Sequence, residues 1–399
     1  MSKLIVINLG DGDLYNGFPR VTVQVWTEGN LYTEEFIGSL PPAPYLAELY
    51  RNWQSIYQAL CDRKELRSLS QLQEVQKVED DDELEIDASG ITNVSVVSFN
   101  EVCKNLEYSI NNWLKSADFF DIEKLLRSRL NRAEEVRVIL ELNDVLLRRL
   151  PWHCWDLFRD YPQAEMALSR PEYQRLEPCL IKSYSAPQLN MSALSIQPKP
   201  QKKFVKILAI LGNSQGIDLE IESKFLKNLQ DAEVDFLTKP SYQELNTKLS
   251  HQNGWNILFF AGHSQTEGET GRIYINENQT NNSLTIEQLE EALKAAIKNG
   301  LRLAIFNSCD GLGLALAMEK FYIPVVIVMR EPVPNFVAQE FFQHFLSAFA
   351  IDGLPLYMAV QQARRKLQSL EDDFPGASWL PVICINSRLE GHQSLMVSN

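Results

Sequence analysis

The second half of the chain alternates short apolar runs with longer stretches of helical periodicity, and this alternation restricts the possible folds most. The runs are nearly continuous in Val, Ile, Leu and Phe, as expected for strands buried on both faces of a parallel sheet. They are VKILAI (205–210), AEVDFL (232–237), WNILFFAG (255–262), LAIFNS (303–308), PVVIVM (324–329) and PVICIN (381–386). Helical patterns lie between them at 219–230, 241–250, 285–298, 313–321, 334–349 and 354–369. The alternation predicts an open, doubly wound α/β sheet, with an inserted strand or hairpin at 271–280.

The first half has the same two kinds of element in a less regular order. Strands are predicted at 3–9, 20–26 and 136–142 and helices at 45–61, 101–115 and 121–132, followed by the segments 150–158 and 164–170. A polar stretch with three prolines then separates the halves. We therefore predict an N-terminal α/β subdomain with a regulatory or interaction role at 1–186, a linker at 187–203 and a second domain at 204–399.

Charge and cysteine content exclude several classes of protein. The 399 residues include 38 Lys and Arg against 52 Asp and Glu, which gives a formal net charge of −14. This charge repels nucleic acid and anionic membranes, so neither is an expected partner. The sequence has no apolar stretch long enough to span a bilayer, and residues 1–10 lack the pattern of a signal peptide. Six scattered cysteines without a CxxC pair favour a reduced, cytoplasmic protein.

Three local motifs that resemble ligand sites are incomplete. DGDLYNG (11–17) resembles a calcium loop, but Tyr15 and Asn16 occupy a ligand position and the glycine position. LGNSQGID (211–218) follows a strand, yet it contains neither a GxGxxG nor a GxxxxGK[ST] pattern. His153 and Cys154 are adjacent donors on an aromatic segment without a spaced partner pair, which is typical of a core. No metal or other cofactor is predicted.

A histidine and a cysteine follow two consecutive predicted strands of the second half. FFAGHS places His263 just after one strand, and IFNSCDG places Cys309 just after the next. Because neighbouring parallel strands end at the same edge about 4.8 Å apart, these side chains are expected to face one another across a crevice. The N-terminus of the helix predicted from about Gly313 and the imidazole would both lower the pKa of the thiol. Either residue alone is more often structural, but the pair at strand ends favours a catalytic dyad.

The segment 204–386 resembles the CHAT domain, a bacterial branch of the caspase-like cysteine peptidases that include separase and metacaspases. The resemblance rests on the two strings around His263 and Cys309 and extends to REPVPNFVAQEFFQHF (330–345), PLYMAVQQARRKL (355–367) and SWLPVICIN (378–386). LPWHCWDLF (150–158) is similar to an element that precedes the core in many CHAT proteins. The resemblance implies an α/β fold with a caspase-like, mostly parallel sheet flanked by helices and an N-terminal mixed α/β subdomain packed on it.

The resemblance also implies an activity, that of a regulated cysteine endopeptidase in bacterial stress, immunity or cell death. Cys309 would be the nucleophile, His263 the general base and then acid, and the backbone N–H groups of Ser264 and Cys309 the oxyanion hole. Many relatives have glycine where this chain has Ser264, which reduces backbone freedom but retains the N–H. The expected partners are a protein or peptide substrate and a protein activator.

The charged residues near the predicted crevice suggest a substrate preference. The acids are Asp218, Glu222, Asp310 and Glu331, and the one base is Arg330. Relatives in this family bind either an acidic or a basic P1 side chain with residues of the opposite charge. The excess of acids therefore favours a basic P1 residue, although each acid alone has an ordinary role as a helix-cap or surface charge.

Two other functional classes remain as alternatives to a peptidase. A catalytically silent CHAT-like module would bind a partner and transmit a signal, but it would have no reason to retain both His263 and Cys309. A thiol redox sensor would require a resolving cysteine near Cys309, and Cys384 is 75 residues away in sequence. The presence of both dyad residues favours the peptidase.

Overall fold

The computed structural model describes residues 2–28, 33–76, 96–171, 205–213, 219–229, 232–267, 270–278, 282–308 and 311–386. The predicted linker at 187–203 and three predicted site residues, Asp218, Cys309 and Asp310, lie outside these ranges. Among the described residues, no helix combines the length and the hydropathy that a membrane span needs.

The described elements of the first half are five strands and five helices. They are β1 (Lys3–Asn8), β2 (Phe18–Thr27), β3 (Glu34–Leu40), α1 (Pro44–Gln76), α2 (Val96–Leu114), α3 (Ala117–Arg129), β4 (Val136–Glu141), α4 (Val145–Arg149), α5 (Asp156–Asp160) and β5 (Ala164–Ser169). Each strand and helix predicted here from sequence is present. The structure adds β3, and it makes the unassigned segment 164–170 a buried strand, β5.

The described elements of the second half follow the predicted alternation. They are β6 (Val205–Leu211), α6 (Glu220–Lys227), β7 (Ala232–Thr238), α7 (Tyr242–Leu249), β8 (Ile257–Ala261), β9 (Ser264–Glu267), β10 (Thr270–Tyr274), β11 (Ser283–Thr285), α8 (Glu290–Lys298), β12 (Leu303–Asn307), α9 (Leu312–Lys320), β13 (Val325–Met329), α10 (Asn335–Leu346), α11 (Leu356–Lys366) and β14 (Pro381–Ile385). All six apolar runs are strands, and the predicted hairpin forms a small sheet in the order β11-β10-β9.

Strands from both halves form one sheet of eleven strands, in the order β3-β2-β1-β4-β5-β14-β13-β12-β8-β6-β7. Seven of its ten strand pairs are parallel, which confirms the predicted mostly parallel α/β sheet. β14 joins the halves, because it pairs in parallel with β5 and antiparallel with β13. The carboxyl ends of β6, β7, β8, β12 and β13 therefore share one edge, and those of β4 and β5 lie at the opposite edge.

The central strands of the sheet are buried on both faces. Every residue of β8, β12, β13 and β14 is buried, as the continuous apolar runs predicted. Burying one such Val, Leu, Ile or Phe side chain contributes about 1.5–3 kcal/mol to the stability of the fold. The close packing of these strands therefore fixes the geometry of the sheet edge at which they end.

Candidate active site

The two strands that precede the predicted dyad residues, β8 and β12, end side by side at one edge of the sheet. The strands are parallel neighbours in register, with Ala261 opposite Asn307. His263 follows Ala261 by two residues, and Cys309 follows Asn307 by two residues in the sequence. The chain thus leaves both strands at the same level and at the same edge, which is where open α/β sheets bind ligands.

The backbone of His263 is held by hydrogen bonds on both sides. Its N–H donates to the carbonyl of Asn213, at the end of β6, over 3.2 Å, and its carbonyl accepts from the N–H of Tyr274 over 3.0 Å. The preceding residue, Gly262, has a φ of +150°, and a Cβ there would approach the Asn213 carbonyl to 3.0 Å. Glycine is therefore required where the chain turns out of β8, and the turn presents a half-buried imidazole at the sheet edge.

Helix α9 begins three residues after Cys309, at Leu312, close to the predicted start. The N–H of Gly311 donates to the carbonyl of Met329 over 3.1 Å, which fixes the start of the helix against β13. The positive end of a helix stabilises a thiolate close to its first turn.

A buried group of polar side chains supports the last residue of β12. The amide nitrogen of Asn307 donates to Glu222 Oε1 over 2.9 Å, and that of Gln339 donates to Glu222 Oε2 over 3.4 Å. All three residues are buried. The next residue, Ser308, has a buried hydroxyl for which the described residues provide no hydrogen-bond partner. The structure thus brings Glu222, one of the four predicted substrate acids, into contact with the last residue of β12, where both of its carboxylate oxygens accept hydrogen bonds.

Glu331, another of the predicted acids, faces the first half of the chain. Only 1% of it is exposed, and its carboxylate accepts hydrogen bonds from Tyr50 Oη over 2.6 Å, from Gln54 Nε2 over 2.8 Å and from Arg149. The neighbouring Arg330 is equally buried and donates to the carbonyls of Arg149 and Leu150. The structure therefore brings the predicted acid Glu331 and the predicted base Arg330 to the contact between the halves.

Some residues of the site carried no recognisable sequence signal. Asn213, Tyr274 and Asn307 act through a backbone carbonyl, a backbone N–H and a side-chain amide, and their positions depend on the register of distant strands. The one available signal was proximity to a strand end, which Asn307 shares with Cys309.

The incomplete motifs have structural roles among the described residues. The Asp13 carboxylate caps its own loop by accepting from the N–H groups of Tyr15 and Asn16, and the hydrogen bonds from Asn16 lower its pKa. Burial holds the pKa of His153 well below and that of Cys154 well above their ordinary values, so both are neutral at pH 7. The half-buried His153 ring lies edge-on to Trp379, with the ring centres 5.8 Å apart, which is consistent with a packing role.

The chain is similar to one known protein family and to solved structures of one protein complex. The model of the CHAT domain family matches residues 112–385, about two thirds of the chain. Two crystal structures of the Saccharomyces cerevisiae separase–securin complex, at 2.6 and 3.0 Å resolution, have 12% and 13% identity and TM-scores of 0.48 and 0.49. The alignments cover 96% of this chain but only 30% of the separase chains. No curated protein sequence matches. The extent of the family match establishes that the chain belongs to the CHAT domain family.

Proposed function

We propose that the protein is a caspase-like cysteine endopeptidase that hydrolyses peptide bonds of a protein substrate with His263 and Cys309. The observation that carries the proposal is the register of β8 and β12, in which Ala261 lies opposite Asn307. His263 and Cys309 each follow these paired residues by two positions in the sequence. The start of α9 just after Cys309 supports it, because a helix N-terminus favours the thiolate form. A silent module would gain nothing from this combination.

The proposed reaction has two steps that share one acid–base group. His263 takes the proton of the Cys309 thiol, and the thiolate attacks the scissile carbonyl to form a tetrahedral intermediate. The C–N bond then breaks as the imidazolium donates its proton to the leaving amine, which leaves a thioester. Water, deprotonated by His263, attacks the thioester, and the carboxylic acid departs as the thiol re-forms. The N–H groups of Ser264 and Cys309 stabilise both oxyanions, by about 3 kcal/mol for each donor.

Substrate choice follows from the negative charge around the crevice. We propose that Glu222, together with Asp218 and Asp310, selects a basic P1 side chain. Glu331 fits this role less well, because its carboxylate is paired with the guanidinium of Arg149, which offsets its negative charge. Glu222 contacts the last residue of β12, two residues before Cys309 in the sequence, and accepts hydrogen bonds from the side-chain amides of Asn307 and Gln339; its ionised carboxylate would add negative charge at this edge.

The test is hydrolysis of a fluorogenic peptide library that varies P1 among Arg, Lys, Asp, Glu and apolar residues. We expect kcat/KM at least about 10-fold higher for Arg or Lys than for Asp. Glu222→Gln, which removes the charge but keeps the volume, should reduce this ratio, whereas Glu340→Gln on α10 should leave it unchanged. Faster cleavage after Asp would refute the P1 assignment. Equal silence from the wild type and Cys309→Ala, with or without candidate activators, would favour the binding module.

The wider setting is also part of the proposal. We propose that the peptidase acts in the cytoplasm, in a regulated bacterial stress, immunity or cell-death pathway, and that a protein activator relieves a latent state. Among the described residues, Cys103, Cys154 and Cys384 are free thiols, which supports a reducing compartment. Residues 1–186 would act as the regulatory or interaction subdomain and 187–203 as the linker. Buried contacts such as that of Glu331 with Tyr50 support a regulatory role for the first half.

A further inference from the structure

The chain that leaves His263 returns to contact the helix that follows Cys309. Strand β9 begins at Ser264, directly after the histidine, and pairs with β10 in an antiparallel hairpin. The hydroxyl of Thr266 in β9 accepts a hydrogen bond from the backbone N–H of Gly313, in the first turn of α9, over 3.1 Å. The first N–H groups of a helix have no partner within the helix, so Thr266 provides an acceptor from a distant part of the chain.

Two glycines allow the hairpin to lie directly on the helix backbone. A Cβ at Gly313 would come within 2.5 Å of the Thr270 carbonyl and 2.6 Å of Thr266 Cγ2. A Cβ at Gly271, in β10, would come within 2.6 Å of the backbone nitrogen of Leu314. Contacts this short with backbone atoms cannot be relieved by turning a side chain, so a methyl group at either glycine would separate hairpin and helix.

The contact between Thr266 and Gly313 is the second of two that hold the start of α9 in place. On one side the N–H of Gly311 is bound by the Met329 carbonyl of β13, and a Cβ at Gly311 would meet the side chain of Val328 at 2.6 Å. On the other side Thr266 binds Gly313. The second contact differs from the first, because it comes from the segment that begins one residue after His263.

We propose that Thr266 and Gly313 are positioning residues that fix the distance between the His263 imidazole and the Cys309 thiol. The pairing of β8 with β12 fixes the relative position of the two chain segments as far as Ala261 and Asn307. His263 and Cys309 each follow two residues later, beyond the paired strands. The contact between Thr266 and Gly313 links the chain beyond those points, and it excludes a shift of the histidine turn relative to α9. This proposal rests on the proposed function, since it assigns a task to the same dyad.

The experiment compares Thr266→Val, which keeps the shape and removes the acceptor, with Thr266→Ser, which restores it. Thr247→Val, at an exposed position of α7, is the matched control. The first readout is the rate at which iodoacetamide alkylates Cys309 at each pH, followed by peptide mapping. In the wild type we expect the midpoint of the curve of alkylation rate against pH to lie well below the usual thiol pKa of about 8.5. Thr266→Val and Gly313→Ala should move this midpoint to higher pH. Thr266→Ser and Thr247→Val should leave it near the wild-type value.

The second readout is peptide hydrolysis, where Thr266→Val should lower kcat by about 10–100-fold with little change in KM. A role in stability alone would lower the unfolding midpoint but leave kcat and the alkylation profile of the folded protein unchanged, and that result would overturn the proposal. A profile that moves to lower pH would also overturn it. Alkylation requires no peptide cleavage, so the pH profile decides on the positioning role even if the wild type hydrolyses nothing. Silence with and without candidate activators counts against the proposed function alone.

Discussion

Replacement of His263 by alanine is expected to lower kcat/KM for peptide hydrolysis by about 10³-fold or more, at the upper part of the range for general acid–base catalysis. The side chain has two tasks in the proposed reaction. It takes the thiol proton, so its loss reduces the fraction of reactive thiolate at neutral pH, and it protonates the leaving amine. The measurement is the initial rate with the best peptide from the library at equal concentrations of folded protein.

A matched substitution separates this effect from a general disturbance. His251 is exposed in the turn between α7 and β8, away from the carboxyl edge, so His251→Ala should retain nearly full activity. The backbone bonds of His263 to Asn213 and Tyr274 do not involve the imidazole, so His263→Ala should keep the course of the chain out of β8. Activity within a few fold of the wild type in His263→Ala would contradict the assigned role.

Replacement of Arg148 by methionine is expected to lower the free energy of unfolding by about 3–5 kcal/mol, as is typical when one partner of a buried ion pair is removed. Arg148, in α4 of the first half, is fully buried and forms an ion pair with Glu319 near the end of α9. Burial raises the pKa of Glu319, and Arg148 opposes that shift. Without Arg148, the one cation that the described residues still offer Glu319 is the half-exposed Arg170, at 3.4 Å. The measurement is urea denaturation followed by tryptophan fluorescence.

The double variant tests the reason for this loss. Arg148→Met together with Glu319→Leu removes both charges, so it should recover most of the stability lost in the single variant. Lys294→Met, which removes a partner of the exposed Glu290, should change stability little, because exposed ion pairs contribute little. A single variant as stable as the wild type would show that the pair does not hold α4 on α9.

The sequence predicted the strands of the second half well because of their composition. Runs such as LAIFNS and PVVIVM are short and apolar on both faces, as a strand buried between two layers requires. Composition does not encode direction or order. PVICIN resembles the other runs, yet β14 is antiparallel to β13 and joins the sheet of the first half, because its neighbours are fixed by long-range packing. β3 was not predicted, since the edge strand is largely exposed and has no continuous apolar run.

The candidate site could be predicted only where it depends on the ends of neighbouring strands. The expectation for His263 and Cys309 needed no more than the rule that parallel strands end at one edge. The surroundings of Glu331 could not be predicted, because its partner Tyr50 lies 281 residues earlier in the sequence. The same holds for Thr266 and Gly313, whose contact depends on how closely a hairpin approaches a helix.

Three of the described cysteines provide internal controls for a direct test of the dyad. Burial raises the pKa of Cys103 and of Cys384 to about 12 and that of Cys154 well above its usual value. These thiols are therefore protonated at neutral pH and poor nucleophiles. A cysteine activated by His263 and α9 should react far faster than any of them.

The most direct measurement is covalent labelling with a peptidyl acyloxymethyl ketone that carries P1 arginine, followed by intact mass and peptide mapping. The wild type should gain one label, mapped to Cys309, at a rate at least about 10-fold above that of His263→Ala, and Cys309→Ala should gain none at that rate. Equal, slow labelling of the wild type and His263→Ala, or a label distributed over other cysteines, would contradict the account of a His263–Cys309 dyad.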